Sequence, residues 1–218
     1  MDRTGLIRTA TITGFAAALG LATVVPAGAA PLADPVTTVA DLDGDGEIES
    51  VNAQLTGDHE QVIWATVDGV RASITLPADT SAPFEAPRVA DFNGDGRAEL
   101  VVTQSVGANT TYFTAVHFDG HTLSQVVGDD NQPFSFAEGG GIATHLGYHC
   151  TADDEARTFD TVAAEADNLG APAGRLTYSG TRTTHTLRDG ALTTQDTVEF
   201  TGRPRTDPVL AVDPATCA

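Results

Sequence analysis

The 218-residue sequence has no lysine: all 11 basic residues are arginine, against 30 acidic ones, for a formal net charge of −19. So negative a surface repels nucleic acid and anionic lipid, which excludes both as partners. Aromatics are sparse at 6%, with a single Trp. The only two cysteines do not form a Cys-x-x-Cys pair, so a zinc ribbon or thioredoxin-like redox motif is excluded. No Gly-x-Ser-x-Gly elbow occurs; the nearest match, Thr103-Gln104-Ser105-Val106-Gly107, lacks the first glycine. Gly139-Gly140-Gly141 lacks the Lys-Ser/Thr ending of a phosphate loop and reads as a bend. The apolar run Phe15 to Val25 reaches roughly half of the ~20 residues that a membrane-spanning helix needs.

That run has another reading. Arg3 and Arg8 precede it, and Ala27-Gly28-Ala29 comes after it in the small-x-small pattern of a signal-peptidase site. Residues 1–29 are therefore expected to be a signal peptide, leaving 30–218 as a single exported domain without a membrane span. The expected location is secreted, extracellular. In that setting Cys150 and Cys217 are expected to form a structural disulfide, worth about 4 kcal/mol for so long a loop.

Period-2 alternation dominates residues 30–218. Val51, Ala53 and Leu55 alternate with Asn52 and Gln54, and Tyr112 to Phe118 behaves likewise. Asp68-Gly69, Asp119-Gly120 and Asp189-Gly190 each sit between strand-like segments, as in tight hairpins that need positive φ. Asp160–Asn168 is Ala-rich but reads as strand. The fold class is all-β and antiparallel.

A repeat is visible. Asp41-Leu42-Asp43-Gly44-Asp45-Gly46-Glu47-Ile48-Glu49 matches Asp91-Phe92-Asn93-Gly94-Asp95-Gly96-Arg97-Ala98-Glu99. Each stretch comes after an apolar pair, and each leads to a hairpin aspartate at nearly the same distance, which aligns Trp64 with Ala115. The two repeats run over about 37–86 and 87–137, with a C-terminal β region at 138–218. Segments around Pro83–Pro87 and from Gly128 to Gly141 read as connectors. The hairpin at Asp189-Gly190 reads as a degenerate third copy without an acidic loop.

The loops point to a hard cation. Calcium takes about six to eight oxygen ligands at about 2.3–2.6 Å. Asp41, Asp43 and Asp45 put carboxylates at alternate positions, Gly44 and Gly46 permit the turn, the Glu47 carbonyl faces inward, and Glu49 completes the ring. The second loop offers Asp91, Asn93, Asp95, the Arg97 carbonyl and Glu99. Ile48 and Ala98 are expected to anchor the loops on the core. An EF-hand is excluded, because its twelfth position holds Asn52 and Val102 instead of Glu, and strands come next. The first loop, with more carboxylates, is expected to bind more tightly.

The pattern resembles the FG-GAP or VCBS repeats of integrin α-subunit propellers and many bacterial secreted proteins. That resemblance covers about Thr37–Gly69 and Pro87–Gly120, and it implies calcium at the residues just named, although Glu replaces the usual Asp at the ninth position. It also implies blade-like sheets. Two copies are too few to close a propeller, so an incomplete propeller, a sandwich or an oligomer is expected.

Other candidates are weaker. His145 and His149 in one strand would lie about 13 Å apart, too far to share zinc. Asp129-Asp130 and Asp153-Asp154-Glu155 read as solvated charge, and Asn109-Thr110-Thr111 matches an N-glycosylation triplet. The sequence thus favours a secreted, non-catalytic, calcium-binding module, its partner a cell-wall glycan or another extracellular protein. The alternative is a small extracellular hydrolase acting on glycans.

Overall fold

The structure is a computed structural model that describes residues 34–57, 59–79, 83–152 and 157–218. The signal-peptide expectation at 1–29 and the triplet Asp153-Asp154-Glu155 lie outside the described residues. Strands dominate, as the alternation predicts. β1 (Val36–Ala40), β2 (Glu49–Leu55), β3 (Glu60–Val67) and β4 (Val70–Pro77) form one antiparallel sheet in sequential order. β5 (Arg88–Ala90), β6 (Glu99–Val106), β7 (Thr110–Phe118) and β8 (Leu123–Gln125) repeat that path. The two blade-like units differ from there on, because β7 forks. Its end pairs with β8 while its start pairs with β9 (Ser135–Gly139), which continues the sheet into β10 (Thr144–Ala152). β11 (Arg157–Ala166), β12 (Thr177–Arg188) and β13 (Ala191–Pro204) complete it as an antiparallel meander. The sheets do not close into a barrel.

β9 corrects the connector expected from Gly128 to Gly141. Ser135-Phe136-Ala137-Glu138 is short and flanked by breakers, and its pairing partner lies across a long loop, so local pattern does not reveal it. The glycine run does bend the chain, with φ of 104°, 94° and 66° at Gly139, Gly140 and Gly141. Asp68-Gly69 and Asp189-Gly190 adopt the expected turns, with positive φ at both residues of each. Asp119-Gly120 does not. Only Gly120 has positive φ, and Asp119 instead accepts bonds from the His121 and Thr122 amides (2.9 and 2.8 Å) in a four-residue turn.

The middle of the molecule is the second unit, buried on both faces. Leu100, Val102 and Val116 pack with Val51, Ala53, Ile63 and Ala65 of the first sheet. Val101, Phe113 and Ala115 face the other way, into a core with Phe136, Tyr148, Phe159 and Leu187. Gln61 bridges the two sheets through its side-chain amide, which donates to Pro77 O (2.8 Å) and Thr103 O (2.7 Å). The few aromatics concentrate in the second core, where Phe92 and Phe159 lie 4.2 Å apart by ring centroids.

A C-terminal segment clasps β10. His145 Nε2 donates to Leu210 O (2.7 Å), Arg182 to Ala211 O (2.9 Å), and Cys150 is disulfide-bonded to Cys217. His149 contacts the Thr216 hydroxyl (3.1 Å), so the two histidines bind the clasp and not a shared metal.

The ladders refine the repeat. Trp64 pairs with Asn52, and Thr114 with Val102, so Trp64 corresponds to Thr114; β7 simply runs one residue longer before its turn. The outer face of the first sheet (Ser50, Asn52, Trp64, Thr66) is thus the counterpart of the buried Leu100, Val102, Thr114 and Val116. Val102→Asn, which copies the first repeat, should cost at least about 2 kcal/mol by burying an unpaired amide. Asn52→Val should stay within about 1 kcal/mol. Paired urea unfolding of the two variants measures this, and equal losses would refute the face assignment.

Candidate metal centre

The two acidic loops connect β1 to β2 and β5 to β6, and they share one backbone design. In the first, Asp41 accepts from the amides of Gly44 (Oδ1, 2.7 Å) and Gly46 (Oδ2, 2.9 Å). Asp43 accepts from Asp45 N (3.2 Å) and Asp45 from Glu47 N (2.7 Å). In the second, Asp91 accepts from Gly94 (2.6 Å) and Gly96 (3.2 Å), Asn93 from Asp95 N (3.1 Å), and Asp95 from Arg97 N (2.8 Å). The glycines adopt φ of 78° and 88° in the first loop and 75° and 83° in the second, a region that strains any side chain. At each base a glutamate closes the loop: Glu49 accepts from Leu42 N and Glu99 from Phe92 N, both at 2.8 Å.

In the first loop these bonds aim the carboxylates at common points. Asp41, Asp43 and Glu49 offer oxygens within 4.8 Å of one another, as do Asp43, Asp45 and Asp68. Asp68, from the β3–β4 hairpin, is a site residue that the sequence reading misses, although its near-constant distance from the first loop aspartate is a signal. Glu47 differs in that its side chain is exposed and its amide, not its carboxylate, serves the loop. In the second loop Asn93 donates to Asp95 Oδ2 (2.9 Å) and to Leu187 O (3.5 Å), which ties the loop to β12.

Of the two expected anchors, Ala98 packs into the core and Ile48 does not. Ile48 is 62% exposed, whereas Leu42 and Phe92, second in each loop, are fully buried. The alternation of β1 and β5 runs on past their ends, so Ala40 and Leu42, like Ala90 and Phe92, turn inward while Asp41 and Asp91 between them face the loop. Ala98 is buried and is also where the loops meet: its amide donates to Asp41 O (2.7 Å). The Arg97 side chain crosses the first loop at Gly44, and not its own, so its charge lies beside the site with more carboxylates.

Burial and crowding act on the two closing glutamates. Glu99 is 4% exposed, and desolvation, reinforced by Asp91 and Asp95, pushes its carboxyl up to about 8. Glu49, at 9% exposure, is raised by desolvation first and then by Asp43, Asp41 and Asp45. The donors are all oxygen, the set that suits calcium or magnesium and not zinc, which favours nitrogen and sulfur. The chemistry of these residues fits a hard divalent cation.

The second loop itself, through Asn93, Asp95, Arg97 and Glu99, lines a crevice of about 180 Å³ together with His117, Asp119 and Asp189, and burial lowers the pKa of that histidine. Asp129 accepts from Thr194 N (3.2 Å) and Asp130 from Gln132 N (3.0 Å), so this acidic pair is committed to backbone bonds.

Residues 41–102 match the FG-GAP-like repeat family. No curated protein and no solved structure matches the chain. The match spans both acidic loops and the strands between them, but less than a third of the sequence.

In chelator, a carboxyl raised in the fold contributes stability below its unfolded pKa, and that contribution fades as pH rises through the folded value. The advantage of Glu99→Gln over the parent chain in melting temperature should therefore grow between about pH 4.5 and pH 8, then level off. Thermal melts across that range test it; a constant difference would contradict it.

Proposed function

We propose that this chain is an exported, calcium-stabilised binding module without catalytic activity of its own. The observation that carries the reading is the duplicated cage. Two loops fifty residues apart use the same backbone amides to hold their first aspartates, and in the first loop the carboxylates lie close enough to repel unless a cation sits among them. Loops of this kind bind at about 10⁻⁴–10⁻³ M in extracellular modules, where calcium is plentiful. Asp41, Asp43, Asp45 and Glu49 would hold one ion, with Asp68 beside them, and Asp91, Asn93, Asp95 and Glu99 another. Bound calcium supplies charge neutralisation, not chemistry. Export is supported by the Cys150–Cys217 disulfide. Among the described residues, no helix is long and apolar enough to cross a membrane. The non-catalytic reading is supported by how the histidines of β10 are used, since both bind the C-terminal clasp.

Millimolar calcium should raise the melting temperature, and calorimetry should find two ions per chain. At a hundredfold excess over Kd, each site contributes about 2.7 kcal/mol. Asp43→Ala should remove the tighter site and Asp91→Ala the weaker one. No stabilisation and no bound ion would overturn the reading.

The second loop also hangs on the clasp. The Asp91 amide donates to Cys217 O (2.6 Å) and Arg157 to Asp91 O (2.8 Å). The double variant Cys150→Ser, Cys217→Ser should weaken the second site several-fold in calcium titrations and leave the first unchanged. Equal effects on both sites would show that the disulfide acts only through global stability.

A further inference from the structure

The outer face of the first sheet lacks the cover that its counterpart has. In the second unit the equivalent positions are Leu100, Val102 and Val116, packed on the first sheet. In the first unit they are Ser50, Asn52 and Thr66, ranged around Trp64, the only tryptophan of the chain. Together with Asp68 and Arg71 they line a groove of about 460 Å³, within the range of small-molecule sites. The Arg71 guanidinium stands 5.1 Å from the Trp64 ring centroid. Thr37 donates to Asn52 Oδ1 (3.1 Å) and the Asn52 amide nitrogen to Ser50 O (3.4 Å), which fixes the amide on the face. Asp45, Glu47 and Glu49 of the first loop form the wall at one end.

We propose that this groove binds a neutral saccharide. The lining selects the occupant. A further blade or a second copy packed here would have to supply partners for the Ser50 and Thr66 hydroxyls, at about 1–3 kcal/mol for each left unsatisfied. An apolar ligand finds Trp64 and Ile48 amid a lining that is mostly polar. Asp45, Glu47, Glu49 and Asp68 against one guanidinium leave negative charge in excess even with a divalent cation in the loop, which repels uronate- or sulfate-bearing chains. A neutral sugar suits what remains. Its C–H face takes the place of the Arg71 guanidinium over the indole, and its hydroxyls, donors and acceptors at once, meet carboxylates, an amide, hydroxyls and the displaced guanidinium. The inference rests on the module reading above only in that the first acidic loop forms one wall.

The single tryptophan is its own reporter. Cellobiose, maltose and N,N′-diacetylchitobiose are titrated into the full chain with emission recorded, in calcium and in chelator, with heparin as the anionic control. A saturable change with at least one disaccharide, and none with heparin, is expected. Asn52→Ala should weaken it at least tenfold at unchanged melting temperature, and Trp64→Ala should abolish the binding heat in calorimetry. No saturable response to any of the three sugars overturns the proposal, as does an Asn52→Ala variant that binds like the parent. An emission shift on concentrating the protein alone would assign the face to a second copy and overturn it equally. The calcium arm keeps the readings apart: sugar binding without calcium binding leaves this inference standing and removes the metal reading, and the reverse removes only this one.

Discussion

The second β unit is buried from both sides, and the rest of the molecule is arranged around that demand. Leu100, Val101 and Val102 are consecutive and all within 1% of full burial, which no one-sided strand permits. One neighbour must cover Leu100 and Val102, and another Val101; the first sheet and the C-terminal meander are those neighbours. A chain with only two repeats therefore needs a third layer of different origin, and β9 to β13 supply it. The fork in β7 is how the layer is joined, because one strand serves two partners along its length.

The acidic loops sit at the start of the strands that carry this core. Leu42 and Phe92 plunge into it directly after the first aspartate of each loop, so loop geometry and core packing are set together. Each loop concentrates charge at one end of a sheet and fixes it with backbone amides, leaving the carboxylates little freedom to move apart. The Ala98–Asp41 bond and the Arg97 side chain across Gly44 make the two loops neighbours and not independent appendages. The cationic arm of the second loop therefore tempers the charge of the first.

Much of this is legible in the sequence where the cause is local. The Asp-Gly turns at 68–69 and 189–190, the loop glycines and the alternation in β2 and β7 arise from φ requirements and period-2 burial, which a short window contains. Asp119-Gly120 escapes because its aspartate caps a longer turn with its own side chain. What needs distant partners is not legible. β9 is strand only because β7 and β10 flank it, and Asp68 joins the first loop only once the hairpin folds back. Ile48 is misplaced as an anchor for a related reason: alternation gives the faces of a strand but not which face the preceding loop has already claimed.

The bond from the Asp91 amide to Cys217 O imposes an order of assembly. The second loop lies near the middle of the chain, yet its first residue is held by one far downstream, and its carbonyl by Arg157. As the polypeptide emerges from its N-terminal end, the first loop and its hairpin have all their local partners early. The second has its side-chain bonds as early, but the backbone of its first residue is not held until the distal segment arrives and is locked down. A partly emerged chain would thus carry two formed acidic turns, the second not yet tied to the end of the chain.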